Sequence, residues 1–540
     1  MRRNVSPLRV SMRILQLFLI FVLLLGDQYD PPDYNLKQKI LMEFSQEQTN
    51  SYILNSWKIP EVRCGHGYCN PSMTPWIFND KYTKQANELT GNPPFLIVWS
   101  NDDTHWGNFY MIAAIGPNNS NTYGDYINPN DNQYKVLKAP DTLEIFDNHQ
   151  GRNRRPFNRD HAQDIRVYLP NSPTGHLKEE LMNQQQQSNS SGSNNKPSES
   201  RRHIRIAYWD WCQLIPGNSC TRDGTNYDSK LAVMEMKYTD LYYHEEMDAL
   251  YVLPSFKKLD ASHEFDHGHQ KNWSPFIYRS NSNSTHTTTI RSHSHSSNHN
   301  ITPSKHNRHL KSTNSTTSQR SINFFVYSIL PHRVVYGNES RVYQSVHAEK
   351  QVNIDQVAVE LVSHTKLSDR VHRLKPNEKS TGGSDTRVYK EGSTAIEHDL
   401  WRPYGHPRGG TPALLLETPY GKRYLTFFHS EAKYMTSWCL TYFMGAYLFE
   451  ADPPFRITHF SPHPIIPNPV YNQTNKWAFQ NIDYIAFPMG FYYTDDYIYL
   501  CMGRNDREGW IVVMKRNNFL LSLHEYSSEV HANNFWSVFT

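Results

Sequence analysis

Between Arg408 and Asp506 the chain sets short aromatic runs beside polar residues of the kinds that handle a polyol. Arg408-Gly409-Gly410-Thr411-Pro412 leads to Tyr424-Leu425-Thr426-Phe427-Phe428-His429-Ser430, then to the run Gly445 to Phe455, and then to Gly503-Arg504-Asn505-Asp506. The carboxylate of Asp506 can accept two hydrogen bonds from a vicinal diol, or Asp506 is simply a β-turn residue behind Asn505. His429 can bond a sugar hydroxyl or close a strand end. Gly409 and Gly410 allow a tight backbone turn beside a ligand. Trp273 and Tyr327 offer flat apolar faces to a pyranose ring unless alternation places them in the core. Polar groups just past the ends of aromatic strands are one way a radial β architecture builds a sugar-binding mouth.

Other chemistries find less support. His263, His267 and His269, and the tract around His293, His295 and His299, fit no standard metal spacing, and the second tract lies in low-complexity sequence. Cys64/Cys69 and Cys212/Cys220 are close enough for small disulfide loops, six cysteines allow fifteen pairings among which the sequence does not choose, and neither close pair has zinc spacing, so no metal is expected. There is no G-x-S-x-G elbow and no phosphate-binding G-x-x-x-x-G-K-[ST] loop. A net charge of +3 over 540 residues, without a basic helix or an aromatic-basic stripe, gives no nucleic-acid footprint.

The elements that must position these groups read as strands. Aromatics make up 13% of the chain, with 34 Tyr, 25 Phe and 12 Trp, so the core rests on aromatic burial rather than on Leu-rich helices. Short apolar or alternating runs bounded by Pro, Gly, Asn and Asp recur at 95–99, 109–115, 204–211, 249–253, 324–330, 413–417, 424–429, 442–449, 482–487, 497–502 and 510–515. No long amphipathic helical period competes with them. The pattern predicts an all-β fold and leaves sandwich, barrel and propeller open.

At the N-terminus, Arg2, Arg3, Arg9 and Arg13 precede an apolar run from Ile14 to Leu25, the layout of a secretory signal. It is short against the roughly 20 apolar residues of a membrane span. The expected organisation is a cytosolic tail at 1–13, a signal anchor or signal peptide at 14–25, a stem at 26–55, one β-rich domain at 56–525 and a tail at 526–540. Inserts at about 184–200, 280–320 and 367–393 are too polar to offset chain entropy. The protein is expected to be secreted, or a single-pass type II membrane protein of the Golgi or endoplasmic reticulum. Sequons at Asn118, Asn189, Asn272, Asn283, Asn300, Asn314, Asn338 and Asn472 suit that compartment.

From Lys271 onward the chain resembles the five-bladed β-propeller family of β-mannoside phosphorylases and β-1,2-mannosidases, with β-1,2-mannosyltransferases among its relatives. The resemblance rests on motifs in order. Lys271-Asn272-Trp273-Ser274-Pro275-Phe276 leads across an insert to Val326 through His332, followed by Gly409 to Pro412, Phe428-His429-Ser430, Tyr442 to Pro464, and Gly503 to Asp506. The family's E-D-x-R segment corresponds to Gln163-Asp164-Ile165-Arg166, with Gln in place of Glu. The resemblance implies a five-bladed all-β propeller acting on oligosaccharides or glycans, with inverting phosphorolysis or transfer of β-mannosides as the expected reaction. A hydrolase of the same fold and a non-catalytic glycan-binding propeller are the alternatives. It implies Asp164 as the acid, relaying its proton through a sugar hydroxyl. It implies substrate or phosphate contacts from Arg155, Arg166, Lys271, His332, Gly410, Thr411, His429 and Asp506, with inorganic phosphate or a sugar nucleotide as co-substrate and no resident cofactor.

Overall fold

Strands buried on both faces require a partner sheet on each side, and the pairing of this chain supplies one. The computed structural model describes residues 47–63, 69–101, 107–117, 134–146, 155–157, 163–176, 203–215, 219–220, 232–260, 272–279, 321–329, 332–347, 352–365, 406–433, 440–467 and 484–526. The architecture is mostly β, and each expected run coincides with a strand.

Strand β1 (Ile53–Arg63) comes first in the chain but pairs near its end. The first antiparallel meander is β2 (Ser72–Pro75), β3 (Phe95–Asn101), β4 (Gly107–Ile115) and β5 (Tyr134–Thr142). Two short strands, β6 (Glu144–Ile145) and β7 (Arg155–Pro156), lead to a second meander. It comprises β8 (Gln163–Tyr168), β9 (Ile204–Ile215) with its hairpin partner β10 (Ser219–Cys220), and β11 (Ala232–His244). On β11 lie both β12 (Ala249–Val252) and β13 (Phe256–Asp260). The third is β14 (Ser274–Arg279), β15 (Ser321–Ser328), β16 (His332–His347) and β17 (Val352–Thr365). In the fourth, β18 (His406–Gly409) and β19 (Leu414–Thr418) share β20 (Gly421–Lys433), followed by β21 (Leu440–Glu450) and β22 (Ile457–Phe460). The last is β23 (Tyr484–Tyr493), β24 (Tyr497–Arg504) and β25 (Glu508–Lys515), completed by β1. A short β26 (His524–Glu525) returns to β22.

Period-two alternation divides each sheet between two neighbours. In β3, Phe95, Ile97 and Trp99 pack with Tyr492, Tyr499, Ile511 and Val513 of the last meander. Leu96 and Val98 point the other way, against Ile165, Val167, Ile204 and Ile206 of the second. The second meets the third through Tyr168, Trp209, Tyr238, Trp273 and Phe325. The third, fourth and last share one large cluster around Phe276, Phe324, Phe427, Phe449, Phe491 and Leu500. The packing therefore runs from each meander to the next and back to the first.

Two features were not expected from the sequence. Helix α1 (Asp80–Thr90) fills the connection between β2 and β3; only Tyr82 and Ala86 of it are buried, and Gly91 ends it at φ 72°. A second short helix, α2 (Arg516–Leu521), follows β25 and buries Phe519 and Leu520. Cys69 is disulfide-bonded and Cys501 is a buried free thiol. Asn272, expected as a glycan acceptor, is buried with its side-chain oxygen bonded to Arg166, so a glycan has no room there in the folded chain. Residues 14–25 lie outside the described residues, among which no helix is long and apolar enough to cross a membrane.

Strand β1 joins chain ends that are far apart in sequence, with Trp57 opposite Ile511 and Ile59 opposite Gly509. Ile59 is fully buried against the first meander. Ile59→Ala is expected to lower unfolding free energy by about 2–5 kcal/mol, through lost burial and the cavity left behind. Urea titration followed by tryptophan fluorescence checks this; a loss below half the lower bound would show that β1 is peripheral.

Candidate functional site

Strands β2, β8 and β23, each the first of its meander, approach one another closely, and polar side chains gather where they meet. Ser72 on β2 donates from Oγ to the Met489 carbonyl on β23 (2.9 Å) and accepts the Val167 amide of β8 (3.1 Å). This one hydroxyl ties together three strands from three meanders. The turn after β18 is as crowded. A Cβ on Gly410 would stand 2.5 Å from the Phe427 carbonyl oxygen and 2.8 Å from that of Pro488, contacts real side chains do not make. A Cβ on Gly409 would overlap the Asn272 carbonyl.

Asp164 sits at a register slip between β8 and β9, where pairing jumps from Gln163–Trp209 to Arg166–Ala207. The slip leaves Asp164 at φ 49°, a left-handed conformation that Asp tolerates better than most residues. Its side chain is turned inward, 7% exposed. Oδ2 accepts the indole N–H of Trp209 at 2.7 Å, and Oδ1 accepts from Nδ2 of Asn70 at 3.1 Å. Each carboxylate oxygen keeps a further lone pair for a ligand hydroxyl.

The same Asn70 amide donates its other hydrogen to Oδ1 of Asp506 at 3.0 Å. Asp506 occupies the turn between β24 and β25 at φ 53°, next to Asn505 at φ 52°. That turn is pinned on both sides. The Asp506 carbonyl accepts the Cys69 amide (2.9 Å), and Asn505 exchanges two hydrogen bonds with the backbone of Ile485 (2.9 and 3.0 Å). Reversing the Asn70 amide would set its oxygen against two carboxylates, so the assignment follows from the network. Its Oδ1 lies over Gly503, where any Cβ would overlap it.

Arg166 lies beneath this pair with no exposed surface. Nε donates to the Gly410 carbonyl (2.5 Å), Nη1 to the Asp164 carbonyl (3.0 Å), and Nη2 to Asn272 Oδ1 (3.3 Å) and the Gly409 carbonyl (3.4 Å). Burial pulls the guanidinium down to about 10, partly offset by the Asp164 charge, so it stays a cation at neutral pH. Asn272, its side-chain partner, is also left-handed at φ 68°.

The structure thus brings together Asp164, Arg166, Gly410 and Asp506 of the residues singled out in the sequence. His429 lies on the same side, its ring 4.0 Å from that of Phe487, and Phe487 pairs with Gly503. Thr411 faces elsewhere: its hydroxyl contacts Thr426 Oγ1 and accepts the Phe427 amide on β20, fully buried. His332 is likewise apart, 4% exposed between the rings of Tyr447 and Phe449. Burial pulls it down to about 3, so it is neutral at physiological pH and does not supply the cationic contact expected of it. Trp273 is core, edge-on to Phe325 and Tyr327. Lys271 lies outside the described residues, as does the side chain of Arg155, whose backbone pairs with Ile145. Among the described residues no group of His, Cys, Asp and Glu is placed to hold a metal.

Sequence reasoning missed Asn70 and Trp209. No local signal marks either: Asn70 follows a cysteine in a connection, and Trp209 is one of several aromatics in an expected strand.

No family model and no curated protein sequence matches the chain. Among solved structures, a putative glycoside hydrolase from Bacteroides ovatus superposes at a TM-score of 0.37 with 10% identity, over 86% of this chain and 97% of that one. A mannose phosphorylase from Leishmania mexicana, in complex with phosphate ion, superposes at 0.34 with 8% identity, over 92% and 96%. A β-1,2-mannobiose phosphorylase from Listeria innocua superposes at 0.22 with 8% identity, over 68% and 94%. Scores of this size do not establish a shared fold.

Two measurements probe these assignments. Asn70→Asp sets a third carboxylate between Asp164 and Asp506; it is expected to cost about 1–3 kcal/mol at pH 7. The deficit should shrink as pH falls through the ordinary carboxylate range, and a pH-independent deficit would argue against charge crowding. His332 is held neutral when folded but takes a proton near pH 6.5 when unfolded. Its contribution is therefore full above that pH and is lost as pH falls from 6.5 towards 3. Urea midpoints for His332→Leu should fall less steeply across that window than those of the parent, although buried His463 and His459 keep some slope in both.

Proposed function

We propose that the chain is a five-bladed β-propeller of the secretory pathway that acts on glycosides, with β-mannosides as the substrate class. On this reading each meander is a blade, β1 closes the last one, and the inner strands line an axial sugar site. The observation that carries the proposal is the Asp164–Asn70–Asp506 constellation, in which one amide holds two carboxylates distant in sequence beside an indole donor. Carboxylates held this way suit the hydroxyls of a sugar ring.

In the proposed reaction Asp164 is the acid, passing a proton through a sugar hydroxyl to the departing glycosidic oxygen, while the incoming nucleophile attacks the opposite face and inverts the anomeric centre. Asp506 and Asn70 hold ring hydroxyls, and His429 adds a contact from β20. Inorganic phosphate or the acceptor of a sugar-nucleotide transfer serves as the nucleophile in phosphorolysis or transfer. Hydrolysis is the second reading, and one observation favours it: the guanidinium of Arg166 is buried and bonded to backbone, and His332 is a neutral core residue, so neither offers charge to an anion.

Purified luminal protein given β-mannobiose separates the readings. Mannose 1-phosphate formed only with inorganic phosphate supports phosphorolysis, free mannose without phosphate supports hydrolysis, and product formed only from a sugar nucleotide supports transfer. Binding without turnover supports a glycan-binding propeller. Asp164→Asn should lower kcat by about 10²–10⁴-fold, the range for a positioned acid. Full turnover by that variant would remove Asp164 from the chemistry.

A further inference from the structure

We propose that Arg166 is a positioning residue: it fixes the left-handed backbone of Asp164, and so the direction of its carboxylate, by fastening it to the Gly409-Gly410 turn and to Asn272. This inference rests on the proposed role of Asp164 and departs from an anion-binding role for Arg166.

The local geometry makes a clamp necessary. Where β8 slips against β9, Asp164 and Ile165 have no register partner, so the strand ladder does not set the backbone of Asp164. The carbonyl of Asp164 is held instead by Nη1 of Arg166, two residues on. Nε and Nη2 of the same guanidinium reach the carbonyls of Gly410 and Gly409, which come from a different meander, and Nη2 also reaches Asn272 at the entry to a third. One planar cation thus spans three segments distant in sequence, two of them left-handed at the residue it touches. The turn it grips cannot drift, because backbone atoms occupy the space around Gly409 and Gly410.

The same accounting leaves little for a ligand. Of the five N–H donors of a guanidinium, these contacts engage the Nε hydrogen, at least one on Nη1 and the Nη2 pair. With no exposed surface, Arg166 could reach phosphate only by releasing carbonyls that would then be buried without a donor. Lysine cannot replace it, since an ammonium presents no planar fork with which to meet three segments at once.

The test uses the full-length protein and reads the carboxylate directly. Trp209 donates its indole N–H to Asp164, so the indole resonance of Trp209, in ¹⁵N-tryptophan-labelled protein and assigned with Trp209→Phe, reports where the carboxylate points. Arg166→Lys is expected to move that resonance toward the position of an unbonded indole. It should also reduce kcat for β-mannobiose about 100-fold, the scale of a small misplacement of a reacting group, while phosphate affinity measured by calorimetry stays within twofold. Asn272→Gly keeps a left-handed backbone and removes one anchor, so it gives a smaller shift in the same direction even if Arg166→Lys fails to fold. An unmoved Trp209 resonance in the folded variants overturns the proposal, and so does a tenfold loss of phosphate affinity in Arg166→Lys. The resonance is read without turnover, so an inactive parent protein would sink the glycosidic reading and leave this test intact.

Discussion

Burial of both faces of every sheet is the constraint from which the rest of this structure follows. Leu96 and Val98 serve one interface while Phe95, Ile97 and Trp99 serve the other, and the same division recurs in β24, where Ile498 and Leu500 oppose Tyr499 and Cys501. A row of such sheets would leave two greasy outer faces at its ends. Returning the last sheet to the first removes both, and β1 supplies the strand that makes the return hydrogen-bonded.

The same arrangement crowds the strands β2, β8 and β23 and the turn after β18. Backbones that approach this closely have no room for side chains at Gly409, Gly410 and Gly503, and the polar groups displaced from those positions come from the strands opposite. Asn70 occupies the space over Gly503 and links two carboxylates; Arg166 fills the space under the Gly409-Gly410 turn. The left-handed residues Asp164, Asn272 and Asp506 belong to this zone. Conformations of this kind persist only where surrounding bonds over-determine them, and here each has at least one such bond.

Much of the fold was legible in the sequence, because β-branched and aromatic runs such as Phe95 to Trp99 or Trp510 to Lys515 have no helical alternative. The helix at 80–90 was not: the apolar face it buries is only Tyr82 and Ala86, too few residues to stand out in a polar segment. Motif order brought Asp164, Gly410 and Asp506 to notice, since turns and bulges need particular residues locally, and Arg166 with them, although as an anion contact rather than the buried, backbone-bonded group it is. Asn70 and Trp209 could not, because their significance lies wholly in which carboxylate they meet across the fold. His332 and Thr411 were misjudged for the opposite reason. Each lies within a motif in sequence, yet the fold turns His332 into an aromatic core and the Thr411 hydroxyl toward β20. The Asn272 sequon fails similarly, its side chain being buried with Oδ1 accepting from Arg166.

The order in which β1 and its partner leave the ribosome differs greatly. β1 is translated first of all the strands, and β25 is the last of its sheet, some 450 residues later by the Lys58–Glu508 contact. Until β25 has emerged, the nascent polypeptide must carry an orphan strand that includes Trp57 and Ile59. Contacts of such long range form slowly and expose apolar edges while they wait. Closure of the last sheet is therefore the longest-range step in folding, and Ile53–Arg63 is the segment that waits for it.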